Sequence, residues 1–289
     1  MSPSILFISI FLFLLSACSH LSTAPRWEEF KNPTKNSAKA IGSYINGCLD
    51  GAKVLSPESD NYIVMRPQRN RFYGHPNLIQ FIEELAEKAK QQNLGNLIVG
   101  DMAQPRGGPI KGGHESHQVG LDADLWFYTL TDNQKNQLTI QDLEEKPAPS
   151  FVHLKEEKPN FKYWTKETIK LLEIATQLNN LDRIFVNPVL KKHLCKYHQQ
   201  EGWITKIRPW YGHHYHFHIR LKCPKDDLEC IPQSSLPDSN GCDASLDWWF
   251  SPEAKKVSTK DPNEVKLEKE MPPACQTIRE ASDKNEDEN

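Results

Sequence analysis

Histidine and carboxylate side chains crowd into two short segments of this 289-residue chain. The first, Lys111 to Trp126, reads KGGHESHQVGLDADLW and holds His114, His117, Asp122 and Asp124. Imidazole nitrogen and carboxylate oxygen are the donors that ligate divalent metals such as zinc. A zinc-protease helix of the H-E-x-x-H kind needs its second histidine four residues after the first, so that both share one helical face. The residue four after His114 is Gln118, and His117 is only three away. Gly112, Gly113 and Gly120 bracket the segment, which predicts a loop running into a strand. A second segment must complete any site.

That segment is GHHYHFHIRLKC, Gly212 to Cys223. Read as a strand, it points His214, His216, His218 and Arg220 to one face and Tyr215, Phe217, Ile219 and Leu221 to the other. The second set is core. Several imidazoles on one strand face would repel one another if protonated, and a metal explains why they are tolerated. Two imidazoles and one carboxylate, with a fourth position left to water, form the donor set that catalytic zinc prefers. Asp122, on the same face as Asp124, is either an acceptor that orients an imidazole or a solvated strand-end carboxylate. Arg106, Arg208, Trp210 and Arg220 lie near these motifs, where they either bind substrate carboxylates and pack on the peptide or serve the structure alone.

The elements that must position these residues are legible by periodicity. From His75, Leu78, Phe81, Ile82, Leu85 and Ala89 form one apolar stripe between Pro76 and Gly95, which predicts an amphipathic helix. Asn96 to Gly100, NLIVG, follows as a buried strand, and LDADLW alternates Leu121, Ala123 and Leu125 with Asp122, Asp124 and Trp126. After Thr165, Ile169, Leu172, Ala175 and Leu178 recur at helical spacing; RIFVNP then reads as a strand halted by Pro188, with a shorter helix through Cys195 beyond it. The pattern predicts mixed α and β structure, with no internal repeat and no linker between two cores.

With 38% hydrophobic and 25% charged residues the chain is of ordinary globular composition, and a formal charge of −3 makes no electrostatic case for nucleic acid or an anionic membrane surface. Residues 3–17, PSILFISIFLFLLSA, have the length and position of a signal-peptide apolar region, ending in LSAC, Leu15 to Cys18. That ending resembles the lipobox of bacterial lipoproteins, in which cleavage before the cysteine leaves it lipidated; cleavage within Ser19 to Ala24 would instead give a soluble periplasmic protein. The expected division is a signal peptide over 1–17, a linker over 18–26, a domain over 27–250 and a polar, largely irregular tail over 251–289. Cys18 aside, Cys48, Cys195, Cys223, Cys230, Cys242 and Cys275 are an even set, which in an exported chain favours three disulfides and leaves the pairing open. No paired C-x-x-C spacing supports zinc on cysteine.

His117 with Asp124 forms H-x(6)-D and His216 with His218 forms H-x-H, a pair of motifs that resembles the LAS group of zinc peptidases. The blocks GDMAQPRGGPIKGGHESHQVGLDADLW, RIFVNP and KIRPWYGHHYHFHIRLKCP, with the six cysteines, are similar to the penicillin-insensitive murein endopeptidase family from about Trp27 through Cys275. The resemblance implies a compact single α+β domain around a small antiparallel sheet with LDADLW and HYHFHIRL as strands. It puts zinc on His117, Asp124 and His218, makes His216 the catalytic histidine, and matches His114 and His213 to further site histidines, His114 on the metal side and His213 beside His216. It pairs Cys48 with Cys275, Cys195 with Cys242 and Cys223 with Cys230.

The implied reaction is hydrolysis of the D-alanyl to meso-diaminopimelyl cross-link of peptidoglycan in the periplasm, with no serine for penicillin to acylate and membrane contact only through a lipid on Cys18. One zinc is expected. The family's Asp and His for a second metal have no clear match in PSFVHLKEEKPNF, which offers His153, Glu156 and Glu157. A zinc D,D-carboxypeptidase and a non-catalytic wall-binding lipoprotein are the alternative functions.

Overall fold

The computed structural model describes residues 26–111, 114–258 and 270–281. The expected signal peptide, the lipobox and its Cys18 lie outside the described residues, as do Gly112 and Gly113. No helix among the described residues is long and apolar enough to cross a membrane.

The chain opens with a hairpin of β1 (Lys39–Ser43) and β2 (Asn46–Asp50), followed by β3 (Lys53–Val54), β4 (Tyr62–Val64) and β5 (Tyr73–Gly74). Helix α1 (Pro76–Gln91) starts on His75, whose side chain accepts from the Asn77 amide, and Pro76 sits where its missing N–H costs nothing. Leu78, Phe81, Ile82, Leu85 and Ala89 are all buried on its inner face, as their spacing predicts. Strands β6 (Leu97–Val99) and β7 (Asp122–Trp126) follow, then α2 (Asp132–Asn136), α3 (Ile140–Glu145) and the small hairpin β8 (Val152–His153) and β9 (Lys158–Pro159). Helix α4 (Lys166–Gln177) leads to β10 (Leu181–Val186) and α5 (Pro188–His198). Asn187 halts the strand and caps the helix at once, its Oδ1 accepting from the Val189 amide at 3.0 Å. Strands β11 (Ile207–Pro209) and β12 (His216–Leu221) complete the sheet, before α6 (Ala244–Asp247), α7 (Pro252–Ser258) and α8 (Pro273–Glu280).

The central sheet has six strands in the order β11-β10-β12-β7-β6-β4. This corrects the expectation of an antiparallel sheet. The four inner strands are antiparallel, but β10 and β11 pair in parallel, as do β4 and β6. The reason lies in the connections. Parallel neighbours need a crossover, and α1 lies between β4 and β6 just as α5 lies between β10 and β11. Helix α4 is rotated from the expected stripe: Thr168, Leu171, Leu172, Ile174 and Ala175 are buried, while Ile169 is only partly so. It packs against both α1 and β10, so a wider face is covered than one stripe provides.

Three disulfides join Cys48 to Cys275, Cys195 to Cys242 and Cys223 to Cys230, the pairing that the resemblance implies. The first ties α8 to β2 across 227 residues of chain. Arg106 adds a polar clamp. Its guanidinium is buried over the Phe30 ring and Nη1 donates to the Ile278 carbonyl at 2.9 Å and the Ala281 carbonyl at 2.6 Å, so this arginine holds the tail.

Candidate active site

The pairing of β7 with β12 builds the site. In the antiparallel register His218 stands opposite Asp124, Arg220 opposite Asp122 and His216 opposite Trp126. Directly opposed residues project to the same face. Asp124 therefore meets imidazoles that lie 94 residues further along the chain. The loop ahead of β7 brings the others. Gly120, at φ +68, lets it turn into the strand where any Cβ would lie 2.4 Å from a Leu49 methyl. His117 also has a left-handed backbone, φ 68, and its amide donates to Asp122 Oδ2 at 3.3 Å. A non-glycine residue in that conformation is strained, and such strain gathers at functional sites.

Asp124 is the hub. Its Oδ1 lies 3.1 Å from His218 Nδ1, 3.4 Å from His117 Nε2 and 3.4 Å from His216 Nε2, and its Oδ2 lies 3.6 Å from His114 Nδ1. Two groups able to hold a metal share this carboxylate: His114, His117 and Asp124, and Asp124, His213 and His218. Tetrahedral donors about 2.0–2.1 Å from one zinc stand about 3.3 Å apart, which is the spacing found around Asp124. The chemistry of the pocket agrees. Both ring nitrogens of His117 are buried without a hydrogen-bond partner, a costly state that a cation would relieve.

Electrostatics favour ionised carboxylates here. Burial pushes the Asp124 carboxyl up, but the neighbouring charges of His216 and His117 outweigh it and hold the group well below the usual carboxylate range. Asp122, fully buried, behaves likewise. Burial opposes ionisation, and the charges of Arg220 and His218 override it. Burial would lower His218, but the Asp122 charge facing its Nε2 at 3.3 Å raises it. Burial, then the charges of His216 and His218, drives His213 down to about 3. The contact between His213 Nδ1 and the Tyr211 carbonyl, 2.9 Å, puts the proton on Nδ1 and leaves Nε2 bare.

All six expected site residues meet in one place, whereas His214 does not. It precedes β12 and its Nδ1 turns to the Gly212 carbonyl. Asp122 is no solvated carboxylate but the partner of Arg220, which donates Nε and Nη2 to it at 2.8 and 2.9 Å. Sequence reasoning missed two residues. Asp101, buried at the end of the NLIVG strand, lies 3.1 Å from His114 Nε2, and Phe185 of β10 packs its ring 5.4 Å from that of His218. The only prior sign of Asp101 was a lone carboxylate after a buried strand. His153 and Glu156 are exposed on the β8–β9 hairpin, and Glu157 pairs with Lys255.

A sheet face that gathers imidazoles and a buried carboxylate at cation spacing has the donor set of a metalloprotein site. The profile of the penicillin-insensitive murein endopeptidase family matches residues 40–280. A protein of that name from Yersinia enterocolitica is 39% identical over 272 residues, spanning 92% of this chain and 94% of its own. Another from Salmonella heidelberg is 39% identical over 277 residues, spanning 94% and 96%. The chain belongs to the penicillin-insensitive murein endopeptidase family and is a metallopeptidase.

Proposed function

We propose that the chain is a zinc D,D-endopeptidase that hydrolyses the amide joining D-alanine to meso-diaminopimelate between two peptidoglycan stems. One observation carries the reading: four imidazoles converge on the Asp124 carboxylate at 3.1 to 3.6 Å. His117, Asp124 and His218 would hold the zinc, which the unpartnered buried ring nitrogens of His117 support. Bound to such a set, zinc lowers the pKa of its water to about 7 and polarises a carbonyl.

His218 would ligate through Nδ1, with Nε2 turned to Asp122, so that a carboxylate fixes the ring's tautomer and Arg220 fixes the carboxylate. His216, on the same face two residues away, takes the proton of the attacking water. The proton taken by His216 then passes to the leaving amine, from His216 itself or by way of His213, whose ring centre lies 4.9 Å away. Asp101 engages His114 Nε2 and leaves Nδ1 facing Asp124 at 3.6 Å, so His114 stands on the metal side of the site. No acyl-enzyme is needed, so penicillin has no serine to trap.

The test is digestion of cross-linked dimeric muropeptides with and without a chelator, followed by mass analysis. Dimers should become monomers, stop doing so with chelator and resume with zinc. Free D-alanine released from pentapeptides with dimers untouched would make the protein a carboxypeptidase. Binding to sacculi without any cleavage would make it a wall-binding protein. The LSAC ending supports an outer-membrane lipoprotein, so a diacylated Cys18 should head the mature chain. An unlipidated N-terminus downstream of Cys18 overturns the anchor.

A further inference from the structure

Asp101 stands one imidazole away from Asp124, and it is surrounded by cations. Its Oδ2 accepts from Arg69 Nη1 and from Arg71 Nη1, each at 3.1 Å, and faces His114 Nε2 at 3.1 Å. Two guanidiniums share this one carboxylate. Of the two other buried carboxylates nearby, Asp122 pairs with Arg220 and Asp124 faces the histidines. The two arginines are not equivalent. Arg71 uses both arms, Nη2 donating to the Lys111 carbonyl at 3.1 Å, and its side chain is 16% exposed. Arg69 is 44% exposed and holds Asp101 through Nη1 alone; among the described residues nothing takes its Nε or Nη2. Nε and Nη2 form one edge of the planar guanidinium, the fork that binds a carboxylate through two parallel hydrogen bonds.

The backbone carrying this fork is held in a costly shape. Arg66 at φ 56 and Asn70 at φ 54 are both left-handed and flank the 3-10 turn Pro67–Arg69. The turn is pinned from outside by the Arg66 amide on the Leu143 carbonyl, 2.8 Å, and the Gln68 amide on Glu144 Oε1, 3.0 Å. Two strained non-glycine residues so close together are the kind of feature retained at ligand clamps.

The substrate proposed above supplies the matching group. The diaminopimelyl carbon that bears the scissile nitrogen also bears a free carboxylate. We infer that Arg69 is the receptor for that carboxylate, with Asp101 and Arg71 as positioning residues that hold its guanidinium beside the metal site. The inference rests on the proposed function and adds a reason for choosing this amide, since an amine donor without the carboxylate would leave the fork unpaired.

The test uses the full-length, metal-loaded protein and two dimeric muropeptides. One carries the free carboxylate beside the scissile amide, and in the other that carboxylate is converted to its carboxamide. The wild type should prefer the free acid in kcat/KM by about 10- to 100-fold, the worth of one charge-assisted hydrogen-bonded pair. Arg69→Gln should shrink that preference by slowing much more on the free acid than on the carboxamide, mainly through KM. Arg69→Lys should keep part of the preference, which a variant that merely misfolded would not. An equal loss on both dimers, or an unchanged ratio in Arg69→Gln, overturns the inference and leaves the endopeptidase reading intact. If the wild type cleaves neither dimer, both fall.

Discussion

The most demanding consequence of this site concerns Arg220, which touches no substrate in the proposed reaction. Its guanidinium meets Asp122 through two hydrogen bonds of 2.8 and 2.9 Å, with the arginine side chain 8% exposed and the carboxylate wholly buried. Solvent screening is therefore small. Replacing Arg220 with Met keeps much of the apolar stem and removes the charge. Asp122 would then be left buried with only the His117 amide at 3.3 Å and the His218 ring as partners. An uncompensated buried charge of this kind costs about 3–5 kcal/mol. That is a large part of the roughly 5–15 kcal/mol that holds a domain folded. The assay is urea unfolding of metal-stripped protein with the disulfides intact, since bound metal would mask the change. The double variant Asp122→Asn with Arg220→Met should recover part of the loss, because neither charge remains. A loss under about 1 kcal/mol for Arg220→Met, or a double variant no better than the single, would refute the account of a buried, ionised Asp122.

Three further outcomes are expected. His117→Ala and His218→Ala should lose zinc and activity together, whereas His216→Ala should keep most of its zinc and lose roughly 10² to 10⁴ in rate; elemental analysis beside kinetics reads the difference, and equal zinc loss in all three would reassign His216 as a ligand. Opening the Cys48–Cys275 bridge by serine substitution should destabilise the fold by about 2–5 kcal/mol, given the long loop it closes, and an unchanged unfolding midpoint would contradict this. Lys191 donates to the carbonyls of Ile204 and Asn240 from a wholly buried position, and burial, then the charge of Arg208, lowers it to about 7. The unfolded chain keeps this proton to about pH 10, so between about 7 and 10 it binds more protons than the native state and stability gains a contribution that grows with pH. Lys191→Met should remove that slope, at most about 1.4 kcal/mol per pH unit, and an unchanged slope would show that Lys191 stays charged in the fold.

What the sequence determined by itself was everything governed by short spacings. The alternation of LDADLW and HFHIRL fixes which side chains share a face, because a strand repeats every two residues. The Leu78–Ala89 stripe follows from the helical repeat, and Asn187 followed by Pro188 ends a strand and begins a helix through local hydrogen bonding. Those patterns, with H-x(6)-D and H-x-H, were enough to name the candidate ligands and the family they resemble. The tertiary structure alone decided which distant residues meet. That Asp124 stands opposite His218 and Asp122 opposite Arg220 depends on one register between β7 and β12, and a slip of one residue would turn those side chains to the other face. Asp101 became part of the site only because the loop holding His114 folds back over the end of β6. The outer strands run parallel because their helices cross the sheet, and α4 turned from its apparent stripe because two neighbours cover it. Each of these is a contact between segments far apart in the chain. Such contacts are settled by how the whole core packs, and no local period of the sequence encodes them.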